Sequence, residues 1–213
     1  MQGHMARVIV VMMLVLVSTL PAEAQGGAEE FDPHDFSGVW LMTRGGGRFG
    51  GTTPELTPQG MEILSMRIPS RSDDRITVTN PSLSNYPTYL CNPDGFPNLL
   101  LDAEPIEFLV MDDRILQLIQ WEGRTRVLWT DGRAVPAGEN LENLGPAWYG
   151  HSVGVWEGDT LVVNTVGLEP RAWLDRMGHP KSFHARFEER YRRVAADTIE
   201  LQITAYDPEN YTA

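Results

Sequence analysis

The sequence contains a single cysteine, Cys91, among its 213 residues. An internal disulfide is therefore impossible, and a zinc site built from cysteine pairs is excluded. A lone cysteine in an exported protein either has a partner elsewhere or is buried. Basic residues are also scarce, because 17 Lys and Arg stand against 29 Asp and Glu, which gives a net charge of -12. So acidic a chain is not expected to bind nucleic acid or anionic membrane surfaces, since both are polyanions.

A hydrophobic run long enough to span a membrane is also lacking. The apolar stretch 8–20 follows Arg7, is broken by Pro21, and is shorter than the ~20 residues of a transmembrane helix. Small residues at Ala22 and Ala24 fit signal peptidase cleavage before Gln25. Residues 1–24 are therefore predicted to be a signal peptide, with an uncleaved anchor as the alternative. The mature chain is expected to be periplasmic or secreted, without stable membrane insertion, and its net charge stays at -12 because one Arg and one Glu are removed.

Long helical periodicity is nearly absent, and short alternating segments separated by tight turns take its place. One short helix is expected after Thr57, which can cap it, with Pro58 at its first position. Residues 25–35 read as a flexible lead-in, and residues 70–105 as a long irregular segment that is either functional or structurally pinned. Strands are predicted at 36–43, 106–111, 115–121, 125–130, 151–156, 159–166, 185–194 and 198–206.

These segments predict a single mainly β domain over residues 36–213. Consecutive strands joined by short turns indicate an antiparallel meander, and closing a meander into a barrel removes its unpaired edges. In the last strand, Ile199, Leu201, Ile203 and Ala205 are expected to share one face and the polar residues between them the other, because strand side chains alternate.

Several short motifs along the chain resemble motifs of known protein families. Gly38-Val39-Trp40 resembles the Gly-x-Trp of lipocalin-like (calycin) barrels, in which the Trp of the first strand plugs one end. Over residues 35–212 the chain is similar to a widespread group of exported bacterial proteins without an established reaction. The phrases that carry this similarity are FSGVW, CNPDGFP, WTDGR, GHSVGVWEGDTLVVNTVG, WLDRMGHP and RFEERYRRV.

The resemblance implies a secreted, calycin-like β-barrel domain. Members of the group continue beyond the position of Ala213 and carry a second Cys near their end. The resemblance therefore implies a C-terminally truncated sequence, in which the partner of Cys91 is missing.

Candidate catalytic residues concentrate between Trp148 and His184. His151 begins a strand and is either a general base or a histidine held by a backbone carbonyl at the edge of the core. Asp175 and His179 are four residues apart, so a single helical turn would bring carboxylate and imidazole together. With Arg176 they form either part of a catalytic site, in which Arg176 binds an anionic substrate, or a salt-bridged surface loop.

Metal and nucleophile motifs are weak in the same stretch. His184 could join His151, Asp175 and His179 around a metal, but the spacings match no metal motif, and neither a metal nor an organic cofactor is expected. The string Gly150-His151-Ser152-Val153-Gly154 matches the nucleophile elbow, but a strand and hairpin follow it instead of a helix. An α/β-hydrolase is therefore rejected.

Two functions remain open. The first is an exported barrel that binds a small apolar or aromatic molecule. Its ligand-binding candidates are Trp40, Trp129, Trp148, Tyr149, Trp156, Trp173 and His184. The second is a cofactor-independent lyase, isomerase or hydrolase, in which His151 acts as the base with the Asp175 and His179 pair. Convergence of these three residues on one cavity would separate the two functions.

Overall fold

A computed structural model describes residues 12–18, 30–42, 49, 55–69, 81–101 and 104–212. The described part contains nine β-strands and two α-helices. The strands are β1 (Met12–Ser18), β2 (Gly38–Met42), β3 (Pro105–Val110), β4 (Arg114–Ile119), β5 (Arg124–Trp129), β6 (His151–Glu157), β7 (Thr160–Val166), β8 (Arg186–Ala195) and β9 (Thr198–Tyr206). The helices are α1 (Pro58–Ser65) and α2 (Glu139–Leu144).

Strands β2 to β9 form a curled eight-stranded sheet, and β1 pairs with β2 and β9 to close it into a barrel. The predicted mainly β, calycin-like fold is confirmed, and the eight predicted strands lie within two residues of the observed bounds. Strand β1 falls inside the predicted signal peptide. The cleavage site and the first part of the lead-in lie outside the described residues, so processing stays a prediction.

The two-residue alternation of the strands decides which side chains fill the barrel. On β9, Ile199, Leu201 and Ile203 are fully buried and Ala205 is nearly so, so the four share one face, as predicted. The interior is packed by large rings from several strands and from the segments that enter the barrel ends. These rings belong to Phe36, Trp40, Phe96, Phe108, Phe187 and Tyr191.

One strand pair departs from the antiparallel meander. Strand β6 runs parallel to β5, and only two residue pairs join them, Leu128 with Ser152 and Trp129 with Val153. The connection over residues 130–150 therefore returns along the barrel wall, and it includes helix α2, which is not among the elements predicted from the sequence. This parallel pairing is the weakest seam among the strand pairs described.

Two further segments lie outside the strands of the barrel. Helix α1 starts as predicted, because the Thr57 side chain accepts a hydrogen bond from the Gly60 amide at 3.0 Å. Residues 81–101 consist of three short 3-10 turns. They are pinned by a buried hydrogen-bond network, in which Tyr86 donates to Asp94 and Asn98 donates to Tyr86. The irregular segment is thus structurally pinned where it is described.

Cys91 follows the second of these turns in a left-handed conformation. Its side chain is exposed, so of the two alternatives weighed from the sequence burial is excluded and a partner elsewhere remains. That Cys91 pairs with a cysteine outside this sequence stays a prediction.

Candidate functional site

A cleft opens in the barrel wall between β5 and β6. Only the end of β5 pairs with the start of β6, so the first half of β5 faces residues 147–150, and a cavity of about 480 Å³ lies there. This volume falls within the range of small-molecule sites. The side chains that line it include Trp129, Arg133, Leu144, Trp148, Tyr149 and His151.

Three of the predicted ligand-binding residues meet in this cleft, namely Trp129, Trp148 and Tyr149. The Trp129 ring is covered by the guanidinium groups of Arg133, 3.6 Å from its centroid, and Arg114, at 4.2 Å. Each of these guanidinium groups is neutralised by a neighbouring carboxylate. The positive charges that cover the Trp129 ring are therefore already paired.

The floor of the cleft rests on a buried ion pair. Arg126 lines the cleft and donates from both terminal nitrogens to Glu189, at 2.7 and 2.6 Å. Both side chains are almost completely buried. Tyr191 and Thr165 donate further hydrogen bonds to Glu189 at 2.8 and 2.9 Å. Four donated hydrogen bonds thus converge on one carboxylate inside the barrel.

Burial and charge act in opposite directions on this network. Burial disfavours the charged form of Arg126, but Glu189 outweighs it and raises the pKa of Arg126. Burial, together with the Glu189 charge, raises the pKa of Tyr191 well above its usual value. The tyrosine therefore stays protonated and remains a hydrogen-bond donor to the carboxylate.

His151 lies at the rim of the cleft and is held by a backbone carbonyl. Its Nε2 atom is 3.0 Å from the Gly145 oxygen, which matches the carbonyl-held alternative weighed from the sequence. Its ring packs against Gly167, where a Cβ atom would lie only 2.7 Å from Cδ2. Gly167 has a φ of +69°, so both space and backbone conformation require glycine there.

A second cluster lies in the loop that joins β7 to β8. Asp175 is fully buried, and its Oδ2 atom accepts a hydrogen bond from His179 Nδ1 at 2.8 Å. The carboxylate also accepts from the amides of Phe49, Met177 and His179. A tight turn, rather than a helix, produces this contact. The pairing of Asp175 with His179 thus exists in the structure, whereas its catalytic role stays a prediction.

A half-buried cation, Arg67, and a buried one, Lys181, hold the same loop in place. Arg67 donates to the carbonyls of Gly178, His179 and Pro170, and burial lowers the pKa of Arg67 to about 10. Lys181 donates to the carbonyls of Glu169 and Ala172. Burial, reinforced by the nearby Arg67 charge, lowers the pKa of Lys181 well below its usual value.

The structure does not bring His151 into hydrogen-bond contact with Asp175 or His179 in the part of the chain it describes. His151 bonds to Gly145, while the carboxylate of Asp175 is engaged within its own loop. The guanidinium of Arg176 lies 5.8 Å over the Tyr86 ring. The three-residue catalytic arrangement is therefore not assembled.

The remaining predicted site residues lie outside the cleft. Trp40 is buried in the core and donates to the Phe36 carbonyl at 2.8 Å. Trp156 packs at 5.3 Å from the Phe36 ring. Trp173 is buried in the β7–β8 loop, with Arg67 over its ring. His184 is exposed, with Glu142 at 3.8 Å.

Metal and nucleophile sites can be checked against the same geometry. No group of three or more His, Cys, Asp or Glu residues is arranged for a metal ion within the described ranges. Ser152 lies within strand β6, and its hydroxyl bonds Arg126 and Thr165. This position agrees with the rejection of a nucleophile elbow.

Sequence reasoning missed the residues beneath the cleft. Arg126 lies two residues before Leu128 on β5, so both side chains face the barrel interior. On β8, Glu189 lies between Phe187 and Tyr191, which also face the interior. A charged residue at an inward position on each of two strands was the available signal, because such charges are buried only when paired. Arg67 and Lys181 gave no comparable pattern.

Comparisons with known proteins do not identify the chain: no protein-family model, curated protein or solved structure matches it. Among the described residues, no helix has the length and apolar character needed to cross a membrane.

Proposed function

We propose that this is an exported protein that binds a small apolar or aromatic molecule in the cleft between β5 and β6. The observation that carries the proposal is the cavity of about 480 Å³ beside β5, which has Trp129, Trp148 and Tyr149 in its lining. Large aromatic side chains supply apolar contact area with few rotatable bonds, as is typical of small-molecule sites.

The location of the cleft differs from that of a calyx inside the barrel. Aromatic side chains from the core pack the interior in the described structure. The cleft in the wall combines apolar lining with open volume. Binding there would take apolar surface out of water, which favours association by about 25 cal/mol per Å² of apolar area before the entropic costs of binding.

Isothermal titration calorimetry with 2-methoxynaphthalene tests this proposal. Leu144 lines the cleft and is exposed, so Leu144→Gln should fold normally and weaken binding roughly fivefold by removing apolar contact. Leu83→Gln is the matched control, because Leu83 is similarly exposed (66% against 56% for Leu144) but is not in the lining of the cleft. Absence of binding to the unmodified protein, or equal weakening by both substitutions, would contradict the proposal.

A second candidate function is catalysis by the Asp175 and His179 pair. Because a carboxylate only accepts, His179 Nδ1 carries the proton in their 2.8 Å contact, and Nε2 of the neutral ring keeps a lone pair. Such an oriented imidazole is suited to remove a proton from a hydroxyl group or water. The pair would then act without His151.

Reaction with diethylpyrocarbonate, followed by peptide mass spectrometry, measures the availability of this lone pair. His179 should be modified, and Asp175→Asn should slow the reaction because the amide can reverse the tautomer. His34 serves as the internal reference, since it makes no contact with Asp175. A His179 that stays unmodified in the unaltered protein would exclude this candidate.

A further inference from the structure

We infer that the ligand of the cleft carries a hydroxyl group that donates a hydrogen bond to Nδ1 of His151. This inference rests on the proposed binding function and specifies its ligand class. The contact with Gly145 fixes the tautomer of the His151 ring. The Gly145 carbonyl can only accept, so the 3.0 Å contact places the proton on Nε2. In the neutral ring, Nδ1 is then an acceptor.

The packing of the His151 ring against Gly167 shows how the ring is oriented. The edge formed by Cδ2 and Nε2 faces Gly167, where an added Cβ would lie 2.7 and 3.4 Å from these atoms. Nδ1 lies on the opposite edge, and His151 lines the cleft. No described residue hydrogen-bonds Nδ1, and it is not among the buried atoms that lack a partner in the described structure. The lone pair is therefore accessible.

The charged groups that line the cleft indicate the charge of the ligand. The two guanidinium groups that line the cleft are paired, Arg126 with Glu189 at 2.6 Å and Arg133 with Asp131 at 2.7 Å. An anionic ligand would therefore meet no uncompensated positive charge there. An acceptor nitrogen beside Trp148 and Tyr149 instead selects a neutral aromatic molecule with a hydroxyl donor, such as a phenol or a naphthol.

Calorimetric titrations with 2-naphthol and 2-methoxynaphthalene test the inference, because the ether lacks only the donor. One neutral hydrogen bond predicts that 2-naphthol binds about threefold to tenfold tighter. His151→Phe should abolish this preference. His34→Phe is the matched control, since His34 Nε2 makes an equivalent 3.0 Å contact with the Gly158 carbonyl outside the cleft.

Nitrogen-15 NMR of the histidine side chains gives a readout that does not require a folded variant. The free protein should show Nδ1 of His151 as the unprotonated nitrogen. 2-Naphthol should shift that signal, and 2-methoxynaphthalene should leave it in place. If both compounds bind equally without moving it, the inference is overturned while the binding function stands. If neither compound binds, the binding function itself fails.

Discussion

Arg126 and Glu189 form a buried ion pair. Substituting either residue alone should lower the free energy of unfolding more than most other substitutions in the barrel. Glu189→Gln leaves the guanidinium charge buried without its counter-charge, and Arg126→Met does the reverse to the carboxylate. Both side chains are at most 1% exposed. Each single substitution should therefore cost about 3–5 kcal/mol, a large fraction of the stability of a typical domain.

A double-mutant cycle separates the interaction from the cost of each substitution. The Arg126→Met, Glu189→Gln double variant should lose clearly less than the sum of the single losses, giving a coupling energy of about 3 kcal/mol. The surface pair Arg190 and Glu157 provides the matched control, with a 2.8 Å contact and side chains that are 36% and 58% exposed. The same substitutions there should couple by less than ~1 kcal/mol.

Urea unfolding followed by tryptophan fluorescence yields the free energies for both cycles. If the single variants are too unstable, Thr165→Val removes one hydroxyl donor to Glu189 and should cost about 1 kcal/mol. Equal and small coupling energies in the two cycles would show that Arg126 and Glu189 are solvated. The description of the cleft floor as a dry, paired network would then be refuted.

Three further predictions concern other parts of the chain. Burial lowers the pKa of Lys181 well below 10.5, so between its folded-state pKa and about pH 10 the unfolded chain binds a proton that the folded chain lacks. Stability should therefore rise with pH by up to ~1.4 kcal/mol per unit across that window, and Lys181→Met should flatten this rise in urea unfolding measured at several pH values. Thr57→Ala should cost about 1 kcal/mol, because Thr57 caps α1, and thermal unfolding will detect a loss that Thr57→Ser should largely avoid. Finally, N-terminal sequencing of protein recovered from a bacterial periplasm should start at Gln25, and an intact Met1 would contradict the predicted signal peptide.

The strands could be predicted from the sequence because their pattern is local. Alternation in β9 and the Glu157-Gly158 turn between β6 and β7 depend on residues only a few positions apart. The contact of Asp175 with His179 was accessible for the same reason. Local spacing was therefore sufficient to predict most of the strands and the contact of Asp175 with His179.

The cleft could not be predicted, because it depends on a long-range pairing. No local signal states that β6 joins β5 in parallel, and turn chemistry favours a continued antiparallel order. The same limit applies to Arg126 and Glu189, which are far apart in sequence and lie together only after the barrel closes. His151 was recognised as chemically important, but its partner Gly145 emerged only from the return of the α2 connection.

The two residue pairs that join β5 to β6 also have a dynamic consequence. Local opening of a protein begins where few backbone hydrogen bonds must break. The amides at Leu128 and Ser152 should therefore exchange with solvent sooner than those between β8 and β9, which pair over most of their length. Such opening would widen a passage from solvent to the aromatic side chains, so a guest molecule could enter through the wall of the barrel.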